Sequence, residues 1–194
     1  RFIVNWVNGQ KTGFFIDQRD NRSLVGEFSK GRKVLNTFSY TGGFSVYALA
    51  NGAKKVTSVD ISQPAIDLAS ENAIINGFDK NHEAICEDAF KFVEKAEGYD
   101  MIILDPPAFA KSIKARHRAV QGYKRLNEMA LKKIAPNSLL FTFSCSQVVN
   151  PQMFESAVLA AAINAGRNVR VIKMLVHAVD HPVTCQHAEG ECLT

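Results

Sequence analysis

Residues 34–43 read V-L-N-T-F-S-Y-T-G-G, and their pattern is the strongest indication of the fold class. A short apolar run leads into polar and aromatic residues and a pair of glycines, and an apolar helical pattern starts at Phe44. A strand, a glycine turn and a helix in this order make a ligand crevice at the carboxyl edge of an α/β sheet. The glycines let the backbone approach a ligand, and the helix N-terminus offers unpaired N–H groups. Taken alone, the stretch also fits a turn that only reverses the chain.

Outward from this stretch, apolar runs and helical patterns alternate along the chain. Strands are predicted at residues 34–38, 55–60, 82–86, 99–104, 139–143 and 169–176, and helices at residues 64–76, 89–96 and 151–164. The basic stretch at residues 111–133 is predicted to run as a loop and then a helix. Strands that alternate with helices indicate βαβ units. The predicted fold class is therefore α/β, with a Rossmann-like, mostly parallel, doubly wound sheet.

A small appendage is predicted before the sheet. Residues 2–7 and 14–17 are β-like runs on either side of a turn signal at residues 8–10, which predicts a β-hairpin. A helix is expected to follow, and the polar residues 17–22 fit its solvated start. We therefore divide the chain into residues 1–30, the hairpin and helix, and residues 31–194, the main domain.

The composition is that of one globular domain. The chain has 194 residues, of which 46% are hydrophobic and 22% charged. Because there is no signal-peptide pattern and no run of about 18 apolar residues, neither secretion nor a membrane span is predicted. Four cysteines do not indicate a disulfide framework, so the cytoplasm is the simpler expectation. The net charge of +4 is compatible with a nucleic-acid partner and equally with an ordinary solvated surface.

Acidic residues at two strand ends indicate an adenosine cofactor. Asp60 closes the second predicted strand, where a carboxylate commonly accepts both ribose hydroxyls, and Asp88 follows the third strand. The pyrophosphate fingerprint G-x-G-x-x-G is absent, since the turn reads Y-T-G-G-F-S. S-adenosyl-L-methionine has no phosphate and carries a positive sulfonium, which suits nearby acids. The sequence therefore favours this methyl donor over NAD.

Two further strand ends carry chemically informative residues. The stretch D-P-P-A-F at residues 105–109 joins a carboxylate to a stiff turn and an aromatic ring, so Asp105 could pair with a base edge while Phe109 stacks on its face. Cys145 ends the next strand within F-S-C-S; neighbouring strands lie about 4.8 Å apart, so both side chains would face one pocket. A cysteine nucleophile suits carbon 5 of a pyrimidine, which becomes nucleophilic once a thiolate adds at carbon 6. The plainer alternatives are a strand-ending turn and a small buried thiol.

Five linked motifs resemble a known family. They are K-T-G-F-F-I-D-Q-R-D-N-R at residues 11–22, N-T-F-S-Y-T-G-G at residues 36–43, V-D-I-S at residues 59–62, D-P-P-A-F at residues 105–109 and F-S-C-S at residues 143–146. The sequence resembles the class I S-adenosylmethionine-dependent 23S rRNA cytosine-5 methyltransferases, whose full-length members carry an N-terminal PUA domain. The resemblance covers residues 11–181 and implies rRNA as the partner. It leaves a homodimer open.

The resemblance implies a role for each matching position. The implied cofactor-binding residues are Phe15, Asp17, Arg19, Phe38, Ser39, Tyr40, Thr41, Gly42, Gly43, Asp60, Ile61, Ser62, Asp88, Ala89 and Asp105. Cys145 is the implied nucleophile, and Asp105 is implied to bind the target cytosine. The expected RNA contacts are Pro106, Pro107, Phe109, Lys111, Lys114 and Arg116, although such a charge run also fits a solvated face. A base must later remove the proton from carbon 5, and no residue is assigned to that step.

The sequence departs from the family pattern at both ends. No PUA domain is recognised, so a catalytic-domain fragment is expected to bind the cofactor and to act poorly on RNA. The chain stops where this fold usually enters its last antiparallel strand, which would leave an exposed sheet edge.

Three competing functions stay open. D-P-P followed by an aromatic also serves enzymes that methylate exocyclic amines or guanine N7 without a cysteine. A cofactor-binding RNA module without catalysis is the second alternative. The third is a zinc site in the tail, whose spacing matches no compact zinc motif; its ligands would be His181, Cys185, His187 and Cys192.

Overall fold

The structure is a computed structural model, and it describes residues 1–7, 9 and 13–175. The strands in this part of the chain are β1 (Lys33–Thr37), β2 (Lys55–Asp60), β3 (His82–Cys86), β4 (Met101–Leu104) and β5 (Leu139–Thr142). The α-helices are α1 (Arg19–Glu27), α2 (Gly43–Ala50), α3 (Gln63–Ile74), α4 (Ala89–Lys95), α5 (Arg116–Lys133) and α6 (Pro151–Asn164). Single 3₁₀ turns occupy Ile16–Gln18, Asp79–Asn81 and Ile113–Ala115.

One parallel sheet organises the described residues, with strand order β3-β2-β1-β4-β5. All four strand pairs are parallel, and β1 pairs with β2 on one side and with β4 on the other. The chain moves outward from β1 to β3 and then returns to place β4 against the other side of β1. Ligands of open α/β sheets bind where the strand order reverses in this way. The predicted Rossmann-like parallel sheet is confirmed, and its reversal point lies at the carboxyl ends of β1 and β4.

The core lies on both faces of the sheet because successive strand residues point to opposite sides. Val34 and Ile103 pack with Phe44 of α2 on one face. Leu35 and Ile102 pack on the other face, in the same cluster as residues of α4 and α5. All four residues of β4 are fully buried, which explains its unbroken apolar sequence. Burial of one such side chain contributes about 1.5–3 kcal/mol.

The predicted N-terminal hairpin is wrong for the residues that the structure describes. Residues 2–7 and 14–17 contain no strand, and residues 16–18 form a 3₁₀ turn. The first segment instead hydrogen-bonds to α3, where the Ile3 N–H donates to Asn72 Oδ1 at 2.6 Å. The Phe2 ring packs against Phe14, with ring centroids 4.7 Å apart. Side chains of α3 and aromatic contacts therefore replace strand pairing.

The predicted sixth strand is also wrong over its described part. Residues 167–175 have no regular structure, and Val171 and Ile172 are 67% and 69% exposed. Alternating β-branched residues form a strand only when a neighbouring strand accepts their backbone, and none does so in the described residues. β5 is the last strand of the sheet in the described residues, and all four of its residues are half-buried.

The remaining predicted elements are present with small shifts at their ends. Val25 of α1 belongs to the same core cluster as Val34 and Phe44, so the first helix packs against the sheet domain. The boundary between residues 30 and 31 stays a prediction. No helix in the described part of the chain is long and apolar enough to cross a membrane.

A row of hydrogen-bonded polar side chains extends over β1, β2 and β3, and all of them except the half-buried His82 are fully buried. Asn36 Nδ2 donates to Ser45 Oγ at 2.9 Å, and Ser45 Oγ lies 2.7 Å from Ser58 Oγ. Ser58 Oγ then lies 2.7 Å from Nε2 of His82 on the edge strand. Burial lowers the pKa of His82 to about 4, with Glu83 opposing the shift. The imidazole is therefore neutral in the native state at neutral pH.

This neutral histidine predicts a pH dependence of stability. The native pKa of His82, about 4, lies below the 6.5 of an ordinary histidine, so protons bind the unfolded chain more readily than the native protein. The free energy of unfolding is therefore highest above pH 6.5 and decreases as the pH falls toward 4. The free energy of unfolding should decrease by about 2 kcal/mol more in the native protein than in His82→Gln between pH 7 and pH 5. Urea titrations of both proteins measure this difference. Parallel pH profiles would contradict the assignment.

Candidate active site

The turn after β1 contains two residues with unusual backbone geometry. Phe38 and Tyr40 have φ of 54° and 45°, in the left-handed region that non-glycine residues rarely adopt. Gly42 has φ of 77°, and a Cβ at this position would lie 3.1 Å from Ala69 Cβ of α3. The Ser39 N–H donates to Val59 O at 3.0 Å, which ties the turn to β2. Strained backbone that is held this firmly is typical of functional sites.

Asp60 at the end of β2 accepts two backbone hydrogen bonds. Its carboxylate receives the N–H of Tyr40 at 2.9 Å and the N–H of Ser62 at 3.0 Å. A carboxylate offers about four lone-pair sites, so these two bonds leave acceptor capacity. The predicted ribose acceptor therefore also joins the turn after β1 to the loop after β2.

The predicted adenine residues lie at the ends of β2 and β3. Cys86 Sγ is 3.4 Å from Ile61 O and connects the two loops, and the Ile61 side chain is 73% exposed. Asp88 caps α4 by accepting the Lys91 N–H at 3.0 Å, and Ala89 is buried in the first turn. An exposed apolar side chain beside a helix start is compatible with one face of a purine.

The segment before the sheet reaches the same crevice. The Phe15 ring meets Tyr40 edge to face, with centroids 5.6 Å apart. Asp17 lies half-buried in the 3₁₀ turn. Arg19 lies at the surface in an ion pair with Asp20 at 3.2 Å. Of the three residues predicted here, Phe15 therefore makes the clearest contact with the cofactor turn.

Arg22 is a site candidate that the sequence reasoning missed. It is 4% exposed, its Nη1 donates to Phe15 O at 2.6 Å, and its guanidinium lies 4.5 Å from the centre of the Phe14 ring. A Cβ on Gly43 would lie 3.2 Å from Arg22 Cδ, so the arginine lies directly against the start of α2. The available signal was its place three residues before the apolar Val25, on the buried face of α1.

The electrostatics around Arg22 favour an anion. Burial lowers its pKa, and Tyr47, Asp17 and Asp105 oppose that shift. The Arg22 Nε and the buried Ser39 Oγ have no hydrogen-bond partner among the described residues. A buried guanidinium beside the N-terminus of α2 offers two sources of positive potential to one ligand.

Asp105 and Cys145 lie at the ends of β4 and β5, which are neighbouring strands as the sequence predicts. Leu104 is paired with Thr142, and the Phe143 N–H donates to Leu104 O at 2.9 Å. Cys145 Sγ then lies 3.4 Å from the carbonyl oxygen of Pro106. The half-buried thiol therefore faces the D-P-P turn directly after Asp105.

Phe109 lies in the wall of the crevice. Its ring centroid is 4.6 Å from that of Tyr123 and 6.0 Å from that of Phe90. A Cβ on Gly122 would lie 2.9 Å from Phe109 Cδ2, so α5 accommodates the ring at a glycine. These contacts support the D-P-P-A-F loop. They also cover much of the Phe109 ring surface on which a base would stack.

The predicted RNA contacts differ in exposure. Lys111 and Lys114 are exposed, whereas Arg116 at the start of α5 is half-buried with its Nε unpartnered among the described residues. Ile113 between them is 70% exposed. The surface beside D-P-P-A-F therefore combines two solvated cations with an apolar side chain. The suggested zinc ligands at residues 181–192 lie outside the described residues.

Curated relatives align with this chain over nearly its whole length. The Ribosomal RNA large subunit methyltransferase I of Aeromonas salmonicida is 45% identical over 195 residues, which cover 98% of this chain and 49% of the relative. The protein of the same name from Alteromonas mediterranea is 44% identical, over 97% of this chain and 49% of the relative. The chain therefore spans about half the length of these curated relatives.

Solved structures share the fold. The crystal structure of SMU.776, a protein assigned as a methyltransferase and complexed with SAH, is 28% identical with a TM-score of 0.82, over 96% of this chain and 50% of that protein. The SAM-dependent methyltransferase from Agrobacterium tumefaciens is 26% identical with a TM-score of 0.69, over 83% of this chain and 55% of that protein.

A family model described as S-adenosylmethionine-dependent methyltransferase matches residues 1–180. This match includes every strand of the sheet and each loop of the crevice described above. The chain belongs to the S-adenosylmethionine-dependent methyltransferases.

Proposed function

We propose that this chain is the methyl-transfer part of an enzyme that methylates carbon 5 of a cytosine in large-subunit rRNA, through a covalent bond to Cys145. The curated relatives, which are named for large-subunit rRNA, support the substrate class. The observation that carries the finer chemistry is the position of Cys145 Sγ, 3.4 Å from Pro106 O in the turn that follows Asp105.

The crevice fits the cofactor of the family at both of its ends. Arg22 Nε and Ser39 Oγ are buried donors without partners in the described residues, and they suit the carboxylate of a methionine moiety. Asp60 suits the ribose hydroxyls, and Ile61 and Asp88 suit the adenine. When bound, S-adenosyl-L-methionine supplies an electrophilic methyl group at the junction between these residues and Cys145.

The proposed chemistry assigns one covalent step to the cysteine. The Cys145 thiolate forms a bond to carbon 6 of cytosine, and the electron pair moves to carbon 5. Carbon 5 then takes the methyl group as the bond from that group to the sulfonium sulfur breaks, which leaves S-adenosylhomocysteine. Removal of the carbon-5 proton restores the double bond, breaks the bond between Sγ and carbon 6 and returns the thiolate. Asp105 holds the base by its polar edge during these steps.

Arg22 is proposed to hold the methionine carboxylate, together with the N-terminus of α2. Arg22→Met keeps much of the packing against Phe14 but removes the charge. Because a hydrogen bond to a charged group contributes about 1.5–3 kcal/mol, the affinity for S-adenosylmethionine should fall at least about tenfold. Isothermal titration calorimetry measures this loss.

The analogue and the control make this prediction specific. Decarboxylated S-adenosylmethionine should bind the native protein and Arg22→Met equally, because it lacks the group that Arg22 is proposed to hold. The matched control is Arg32→Met. Arg32 directly precedes β1, and its guanidinium donates to Phe28 O in the native protein. Equal losses for both ligands in Arg22→Met would reject the carboxylate assignment.

The covalent step predicts a trapped complex. In RNA that carries 5-fluorocytosine, the fluorine cannot leave carbon 5 as a proton does, so the protein should stay bonded to the RNA when the cofactor is present. Denaturing electrophoresis should show this complex for the native protein and none for Cys145→Ala. RNA with ordinary cytosine and a reaction without cofactor are the controls.

Full methyl transfer by Cys145→Ala would contradict the covalent route and favour an exocyclic amine or guanine N7. Failure of the native full-length protein to methylate any rRNA would instead favour a binding module without catalysis.

The exposed lysines beside D-P-P-A-F are proposed to neutralise RNA phosphates. Lys114→Glu should weaken RNA binding and reduce the slope of log affinity against log salt by somewhat less than one unit for each lost contact. Filter binding over a range of salt concentrations measures both quantities. Lys80→Glu is the matched control, since this exposed lysine lies in the 3₁₀ turn before β3, at the opposite end of the sheet. Equal effects of the two substitutions would contradict a local RNA contact.

A further inference from the structure

One turn of α5 receives both loops that build the proposed chemical site. At Gly122 it accommodates the Phe109 ring from the loop after β4. The next residue, Tyr123, is fully buried, and its ring packs edge to face against Phe154 of α6 with centroids 5.3 Å apart. A phenylalanine would satisfy these ring contacts, so the hydroxyl needs a separate explanation.

The hydroxyl of Tyr123 joins the two loops. Its Oη lies 2.9 Å from Ser146 Oγ, and Ser146 Oγ also accepts the Ala110 N–H at 3.4 Å. Ser144 is a second hydrogen-bonding side chain for the same phenol. Both serines and Ala110 are less than a tenth exposed, so their polar groups must form hydrogen bonds with the protein rather than with water.

The two serines flank Cys145 on either side in the chain. Burial raises the pKa of Tyr123, with the hydrogen bonds to Ser144 and Ser146 opposing the shift, so the phenol is protonated at neutral pH. A loop fixed before and after its central residue leaves that residue little freedom. The Cys145 Sγ is held 3.4 Å from Pro106 O on the facing loop.

We propose that Tyr123 is a positioning residue whose hydroxyl clips the loop after β5 to the loop after β4 and thereby fixes the Cys145 sulfur beside Asp105. The clip is a property of the fold, whereas its importance for methyl transfer rests on the function proposed above. The hydroxyl is fully buried, so it acts through protein groups alone: the two serines and the backbone of Phe109.

The test compares Tyr123→Phe with Tyr99→Phe. Both substitutions remove a phenol hydroxyl. The Tyr99 hydroxyl donates to Thr57 Oγ1 at 3.1 Å, away from Cys145. Peptide-level mass spectrometry follows alkylation of each cysteine by iodoacetamide. Cys145 should react several-fold faster in Tyr123→Phe than in the native chain, while Cys86 reacts at the same rate in all three proteins. Thermal melting confirms that each variant is folded.

Methyl transfer to large-subunit rRNA gives the second measurement. In the full-length protein, Tyr123→Phe should lower kcat about tenfold while the Kd for S-adenosylmethionine changes less than twofold, since Arg22, Ser39 and Asp60 lie on other elements. Ser146→Ala breaks the same clip from its other side. Because the two substitutions remove one shared hydrogen bond, the double variant should lose less activity than the product of the two single losses.

The results separate the two proposals. Unchanged Cys145 alkylation in Tyr123→Phe, or additive losses of kcat in the double variant, would overturn the clip even if the native protein methylates cytosine. If the native protein transfers no methyl group, the proposed function fails, and the alkylation rates alone decide whether Tyr123 positions the thiol.

Discussion

The Asp60 carboxylate connects the two loops on which the cofactor half of the crevice depends. Its bonds to the N–H groups of Tyr40 and Ser62 fix the turn after β1 relative to the end of β2. That turn contains Phe38 and Tyr40 in left-handed backbone geometry, which costs about 1–3 kcal/mol for each residue and persists only when its surroundings determine it. Asp60 therefore fixes the shape of the site even when no ligand is bound.

The crevice divides into two halves that meet at the strand-order reversal. The ends of β1, β2 and β3 carry groups that suit the cofactor, and Arg22 from α1 supplies the cation beside them. The ends of β4 and β5 carry Asp105 and Cys145, and both of these loops rest on α5. In the proposed function, a methyl group held by the first half would reach a base held by the second, because β1 and β4 are adjacent in the sheet.

Sequence patterns predicted what depends on local signals. Apolar runs located β1 to β5, and the acids and the cysteine at their ends followed from parallel geometry. The errors lie where a partner decides the outcome. Ile3 in the first segment binds to Asn72 of α3, and residues 167–175 have no strand beside them in the described part of the chain. Arg22 and Phe109 have roles set by Gly43 and Gly122, at which neighbouring elements approach closely. Such contacts between segments distant in sequence leave no periodic signal.

The position of β1 at the centre of the sheet also implies an order of folding. β1 meets β2 through residues close in the chain, such as Lys33 and Lys55, whereas its contact with the start of β4 joins Lys33 to Asp100 across 67 residues. Closing a longer loop costs more chain entropy and slows the pairing. During synthesis, the segment from β1 to β3 also leaves the ribosome before β4 does. The nascent chain can therefore assemble its cofactor-binding half first, and the half that carries Cys145 then folds onto a finished template.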